Sequence, residues 1–134
     1  GWIFADYKNK FDNTDKNIVI YGHNMKDGSM FGSMLNILDA KWYENEENTN
    51  ITLYTENEKC IYKVFSIYKI ENEDYYIKTE FKNDNEFEEF VKNLKKRSIK
   101  DFNVDISKDD NILTLSTCAN NNKYRIVLHS VRVK

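Results

Sequence analysis

Residues 112–118 read ILTLSTC and residues 119–128 read ANNNKYRIVL, a pattern typical of two apolar strands joined by a polar loop. Asparagine tolerates the left-handed backbone conformations of tight turns, so Asn120–Asn122 is the predicted tip of a hairpin. If the hairpin closes there, Cys118 and Arg125 face each other, with Cβ atoms roughly 5 Å apart. A cation beside a thiol favours the thiolate and can also hold a developing oxyanion. The hairpin therefore predicts a catalytic pair.

The composition predicts one globular domain over residues 1–134. A chain of 134 residues can form one modest core, and its 40 % hydrophobic and 31 % charged residues are ordinary for a globular protein. The net charge of −2 gives no electrostatic reason to expect nucleic acid or an anionic membrane as a partner. The sequence also lacks an apolar run of about 18 residues, the length that would span a membrane. Its two cysteines, Cys60 and Cys118, match no zinc-binding spacing, so no metal site is predicted.

Apolar and β-branched runs predict a mainly β fold. Such runs occur at Gly1–Tyr7, Asn17–Gly22, Ile51–Thr55, Cys60–Ile70, Ile112–Cys118 and Tyr124–Val133. Six strands of this kind, with helices on their flanks, favour a barrel-like architecture.

Helical spacing occurs in two places, with an irregular helical turn expected around Trp42 and Tyr43. A short helix after the Asn17–Gly22 strand is predicted from the apolar residues Phe31, Met34, Leu35 and Leu38. The clearest helix runs from Asn85 to Arg97, with Asp84 as its cap. Its acidic residues lie in the first half and its basic residues in the second, which complements the helix dipole. We expect this helix to cover the sheet.

The histidine that could complete a cysteine site is His23, which directly follows the Asn17–Gly22 strand. A nucleophilic cysteine needs a proton donor and a group that holds the oxyanion. Cys118, His23 and Arg125 are the candidates for nucleophile, proton donor and oxyanion holder, and Asn24 could orient His23 by a hydrogen bond. The first three also have structural interpretations: Cys118 as a small buried residue, His23 as a turn residue and Arg125 as a surface cation. Their joint occurrence at strand ends favours catalysis.

Two further residues serve as controls for this interpretation. His129 lies inside the last strand, which is typical of a packed or edge-strand histidine. Cys60 begins a strand and has no predicted basic neighbour, so a structural role is expected.

The residues also resemble a known family. TLSTC at 114–118 is similar to the TLxTC signature of sortases, the cysteine transpeptidases of Gram-positive cell surfaces, and Arg125 matches the family arginine. NIVIYGHNM at 17–25 matches the strand that carries the family histidine. Features similar to class B sortases are GSMF at 28–31, ITLYT at 51–55, YKVFS at 62–66, and the long insert with a helix at 71–111.

The resemblance implies a sortase-type β-barrel and a two-step transpeptidation without cofactor or metal. Cys118 would attack the carbonyl after the threonine of an NPxTx-like or PxTG-like sorting signal, and His23 would protonate the departing amine. Arg125 would stabilise the oxyanion or position the substrate, while Ser116, Thr117 and Asn24 would contribute to the substrate site. An amine of the peptidoglycan precursor or cross-bridge would then release the thioester.

The partners implied are sorting-signal-bearing surface proteins and the cell wall, at the extracellular face of a Gram-positive plasma membrane. Class B sortases carry a membrane anchor, N-terminal helices and early barrel strands before the segment matched by Gly1–Phe4. We therefore expect this chain to lack its N-terminal strands and its anchor. Two alternatives stay open from sequence: a pilus-assembling sortase with a lysine acceptor, and a non-catalytic binding barrel with an inert Cys118.

Overall fold

A computed structural model of the chain describes residues 2–5, 16–22, 40–45, 49–54, 59–71, 76, 78, 80–119 and 124–133. The described strands are β1 (Trp2–Ala5), β2 (Asn17–Gly22), β3 (Asn50–Tyr54), β4 (Lys59–Glu71), β5 (Ile112–Ala119) and β6 (Tyr124–Arg132). The described helices are α1 (Ala40–Tyr43) and α2 (Asp84–Arg97). The predicted mainly β fold is confirmed, and so is the helical turn around Tyr43. The predicted short helix at 31–38 and the predicted turn at 120–122 lie outside the described residues.

The strands form a single sheet with the order β1-β3-β4-β6-β5-β2. The central pairs β3–β4, β4–β6 and β5–β6 are antiparallel. The outer strands β1 and β2 instead pair in parallel with β3 and β5. Among the described strands the sheet is therefore open, with β1 and β2 at its two ends.

Both faces of the central strands are buried, which explains why β5 and β6 read as nearly continuous apolar runs. Alternate residues of a strand point to opposite faces. On β6, Ile126 and Leu128 belong to one core cluster, whereas Val127 and Val131 belong to the other. The second cluster also contains the apolar stripe of α2, so this helix covers one face of the sheet, as predicted.

Helix α2 begins one residue earlier than the sequence suggested, and Asp84 is not its cap. The N-cap is Asn83, whose extended backbone lets its Oδ1 accept a hydrogen bond of 2.8 Å from the Glu86 backbone N–H. Asp84 is instead the first helical residue, where its negative charge complements the dipole. No helix in the described ranges has the length and apolarity needed to cross a membrane.

Replacing Asn83 by alanine should destabilise the protein, because the Glu86 N–H would lose its side-chain acceptor. We expect the free energy of unfolding to fall by about 1 kcal/mol. Urea denaturation measures this loss, with Asn93→Ala as the control because Asn93 lies exposed in the middle of the same helix. Equal midpoints for the two variants would show that the cap contributes nothing.

Candidate active site

The last two strands bring Cys118 opposite Arg125, as predicted. In the antiparallel β5–β6 ladder their Cα atoms are direct partners, near the end of the pairing that finishes with Ala119 and Tyr124. Arg125 also pairs with Ile70 of β4 on its other side. The position of the arginine is therefore fixed by two neighbouring strands. The chemical roles of both residues stay predictions.

Strand β2, which precedes the predicted histidine in the sequence, lies alongside the cysteine strand β5. It pairs in parallel with β5, and its last pair is Gly22 with Thr117. The next residues along the two strands are His23 and Cys118. His23 and Asn24 themselves lie outside the described residues. The ladder nevertheless pairs Gly22 with Thr117, the two residues that directly precede the candidates in the sequence.

A tyrosine from the insert before β5 contacts the candidate site. The Tyr76 hydroxyl lies 2.8 Å from Ser116 Oγ, and Arg125 Nη1 donates to the same hydroxyl at 3.5 Å. Tyr76 and Ser116 are buried, whereas Arg125 is half-buried. Because a guanidinium can only donate, the Tyr76 oxygen accepts from Arg125 and its own hydrogen remains able to point at Ser116. Tyr76 thus links the guanidinium to the cysteine strand.

A buried hydrogen-bonded chain, here called the polar relay, runs through the sheet to the same tyrosine. It joins Tyr68, His129, Thr114 and Asn17 in that order, with distances of 2.8 Å, 2.8 Å and 2.6 Å between successive polar atoms. The Asn17 amide nitrogen then donates to the backbone carbonyls of Tyr76 at 3.1 Å and Lys78 at 2.8 Å. The relay therefore crosses β4, β6, β5 and β2 and ends on the insert.

The contacts of the polar relay determine which ring nitrogen of a neutral His129 carries the proton. Asn17 Nδ2 donates to two carbonyls, so its Oδ1 is the acceptor and Thr114 Oγ1–H is the donor. The Thr114 oxygen must then accept from Nδ1–H of His129, and His129 Nε2 accepts from Tyr68 O–H. Burial lowers the pKa of His129 from 6.5 to about 3, which agrees with a neutral ring. The predicted packed histidine is confirmed.

Cys60 is also structural in character, as predicted. Its thiol belongs to the core cluster of Ile51, Tyr62 and Val64, and its side chain is 3 % exposed. It pairs with Leu53 in the β3–β4 ladder, two strands away from the cysteine strand. A buried thiol of this kind is a poor nucleophile.

The comparison with known families decides the identity of the fold. A family model for the sortase domain matches residues 1–133. The chain belongs to the sortase family. Sortase B of Listeria monocytogenes is 38 % identical over 124 residues, which cover 92 % of this sortase and 50 % of the relative. The chain thus spans about half the length of that curated relative.

Solved sortase B structures share the fold. The structure of Clostridium perfringens sortase B has a TM-score of 0.82 at 32 % identity, covering 91 % of this chain and 68 % of that one. A Staphylococcus aureus sortase B–substrate complex has a TM-score of 0.80 at 32 % identity, covering 90 % of this chain and 56 % of that one. The class B resemblance predicted from the sequence is confirmed.

Sequence reasoning missed Tyr76, Asn17 and the linking role of Thr114 in this sortase. Tyr76 lies in the part of the insert before α2, which has no clear periodicity, so no pattern set it apart. Asn17 gave a weak signal, because an amide side chain at the start of a buried strand needs hydrogen-bond partners. Thr114 was noted only as part of the TLxTC match. Of the predicted substrate residues, Ser116 is buried beneath the Tyr76 hydroxyl, and Thr117 is placed in the β5 ladder.

Proposed function

We propose that this sortase domain is the catalytic part of a class B-like cysteine transpeptidase, with Cys118 as nucleophile. The observation that carries the proposal is the direct pairing of Cys118 with Arg125 at the end of the β5–β6 ladder. The parallel β2–β5 ladder supports it, because its continuation leads to His23 and Cys118. The family match makes a thiol-based transfer the expected chemistry for these residues.

In the first step, the Cys118 thiolate attacks the carbonyl carbon that follows the threonine of a sorting signal. The carbonyl oxygen gains the negative charge, which the Arg125 guanidinium stabilises. When the oxyanion collapses, the carbon–nitrogen bond breaks and His23 gives its proton to the departing amine. The products are a thioester on Cys118 and a free carboxy-terminal peptide.

In the second step, an amino group of a peptidoglycan precursor or cross-bridge attacks the thioester. His23 accepts the proton of that amine, a new amide bond forms, and the thiolate of Cys118 leaves. The surface protein is thereby joined to the cell wall. This outcome assigns the enzyme to the extracellular face of a Gram-positive plasma membrane, with surface proteins as its substrates.

Arg125 suits the oxyanion role because its guanidinium carries several N–H donors in a fixed plane. One of these N–H groups lies against the Tyr76 hydroxyl, and the fork of donors allows the guanidinium to hold more than one partner at once. We assign Ser116, Thr117 and Asn24 to substrate binding. Ser116 is two residues before Cys118, and alternate residues of a strand share a face, so the two side chains are expected to line one site.

Mass spectrometry of the full-length protein tests the proposal. After incubation with NPxTx and PxTG peptides, we expect a mass increase equal to the acyl fragment on the peptide that contains Cys118. Cys118→Ala should lose the adduct, whereas Cys60→Ala should keep it because Cys60 is buried elsewhere in the sheet. The absence of adduct and cleavage with every such peptide would refute the transpeptidase proposal.

The same samples separate the alternatives left open by the sequence. Addition of a cross-bridge amine mimic or of a lysine-containing pilin peptide shows which acceptor releases the thioester. Iodoacetamide labelling across pH tests the alternative in which Cys118 is inert. A nucleophilic Cys118 should react faster than Cys60, while equal and slow labelling of both would favour a binding domain.

A further inference from the structure

Two sets of polar contacts meet at Tyr76. Its hydroxyl contacts Ser116 and Arg125, while its backbone carbonyl accepts from Asn17 at the end of the polar relay. We propose that Asn17, Thr114 and His129 are positioning residues that hold Tyr76, and through it Arg125, opposite the cysteine strand. This inference rests on the proposed function for the roles of Arg125 and Cys118.

The hydrogen bonds of the polar relay fix the orientation of the Asn17 amide. Both hydrogens of the Asn17 amide are used by the carbonyls of Tyr76 and Lys78, and its oxygen is used by Thr114. Thr114 is in turn occupied by His129. Rotation of the Asn17 amide would place its nitrogen where Thr114 needs an acceptor. The relay therefore specifies the orientation of the amide that holds the insert.

The side chains of the polar relay are buried. Asn17, Thr114 and His129 all have 0 % exposure. A buried polar group that loses its partner cannot turn to water, so each link is costly to break. A displacement of the Tyr76 backbone would leave the Asn17 amide unsatisfied. The insert is thus tied to β2 by a contact that resists opening.

The polar relay joins the strands of the candidate site. Its members lie on the strands that lead to or carry the proposed catalytic residues: β2 precedes His23, β5 carries Cys118 and β6 carries Arg125. Its opposite end, Tyr68 on β4, is bonded to His129 and stands three hydrogen bonds away from Asn17, the residue that holds the Tyr76 carbonyl. The His129 ring also lies edge-on to the Tyr76 ring, with centroids 6.3 Å apart. Loss of a hydrogen bond at the two ends should therefore have different consequences for turnover.

The test compares two pairs of variants in the full-length protein. Asn17→Ala and Thr114→Val break the relay on the side of Tyr76. Tyr68→Phe breaks a buried hydrogen bond at the other end and retains the ring that stacks on His129, while Thr114→Ser retains the linking hydroxyl. Hydrogen–deuterium exchange of peptides spanning residues 76–82 reports on the insert, and kcat/KM with a sorting-signal peptide reports on the site.

Asn17→Ala and Thr114→Val should speed exchange across residues 76–82 and lower kcat/KM by roughly tenfold to a hundredfold, the cost of a small misplacement of catalytic groups. Tyr68→Phe and Thr114→Ser should change neither, although Tyr68→Phe should still lower the melting temperature. Equal behaviour of Asn17→Ala and Tyr68→Phe in both measurements would overturn the inference.

Two further results also lead to a decision. If Asn17→Ala does not fold, the Thr114→Val and Thr114→Ser pair decides, because valine keeps the size of threonine without its hydroxyl and serine keeps the hydroxyl without the methyl group. If the wild-type protein forms no thioester, the proposed function fails. The exchange measurement then still shows whether Asn17 holds Tyr76, and unchanged exchange in Asn17→Ala would overturn the positioning role by itself.

Discussion

Replacing Arg125 by lysine is expected to lower kcat about a hundredfold, as for the loss of one oxyanion-hole donor, with a smaller change in KM. Lysine keeps the positive charge but loses the planar set of donors. In the wild-type protein one guanidinium N–H lies against the Tyr76 hydroxyl, and a planar fork of donors can hold this partner and the substrate oxygen together. A compact ammonium group cannot satisfy both partners in the same geometry. Turnover should therefore suffer more than binding.

Steady-state kinetics with a sorting-signal peptide and saturating amine measures this effect, and single-turnover thioester formation isolates the first step. The matched control is Arg132→Lys, at the other end of β6, where the Cα partner is Tyr62. That variant should retain wild-type kcat. An unchanged kcat in Arg125→Lys would remove Arg125 from the oxyanion role. An equal loss in Arg132→Lys would instead indicate a general effect on β6.

Acid should destabilise the wild-type protein through His129. Burial lowers the pKa of His129 from 6.5 to about 3, so the unfolded chain binds a proton in this interval and the folded protein does not. The free energy of unfolding should therefore fall as pH falls below the unfolded pKa. The slope from this one group approaches about 1.4 kcal/mol for each pH unit. Its contribution is fully present above pH 6.5.

Denaturant titrations between pH 7.5 and 4, on the wild type and His129→Gln, check this expectation. Glutamine has no titrating group, so the variant should be less stable at pH 7.5 and should lose less stability in acid. The side-chain hydrogen bond from Lys78 lowers the pKa of Glu86, so protonation of that carboxylate in acid destabilises both folded proteins. The contribution of Glu86 therefore cancels in the difference between the free energies of unfolding of the two proteins. Parallel curves for the two proteins would contradict the assignment of the acid sensitivity to His129.

Local patterns were sufficient to predict most strands and the main helix. The apolar run of β5 and the asparagine-rich loop after it indicated the β5–β6 pairing, because the partners are close in sequence. The stripe of Phe87, Phe90, Val91 and Leu94 indicated α2, although its cap is Asn83 and not Asp84. The parallel pairings of β2 with β5 and of β1 with β3 were not predicted. They join strands that are far apart in sequence, and alternation of apolar residues carries no information about distant partners.

In the candidate site, too, local patterns could be predicted and long-range contacts could not. Cys118 and Arg125 could be placed opposite each other from a hairpin and then given roles from the family signature. Tyr76 and Asn17 could not, because their importance depends on contacts that only the assembled sheet creates. His129 was correctly predicted to be packed, but its hydrogen bonds to Tyr68 and Thr114 required the three-dimensional structure. A pattern of residue types indicates burial more readily than it indicates the partners of a buried polar group.

The parallel pairing of β2 with β5 has a consequence for the order in which the proposed site is assembled. The hydrogen bond between Thr114 and Asn17 joins residues 97 positions apart in the chain. During synthesis β2 leaves the ribosome before its ladder partner β5 and before the strand that carries Arg125. Such long-range pairing closes late because the intervening chain must first be ordered. We therefore expect the proposed site to form only when β5 and β6 dock against β2, so that thioester formation on Cys118 would also report on this docking.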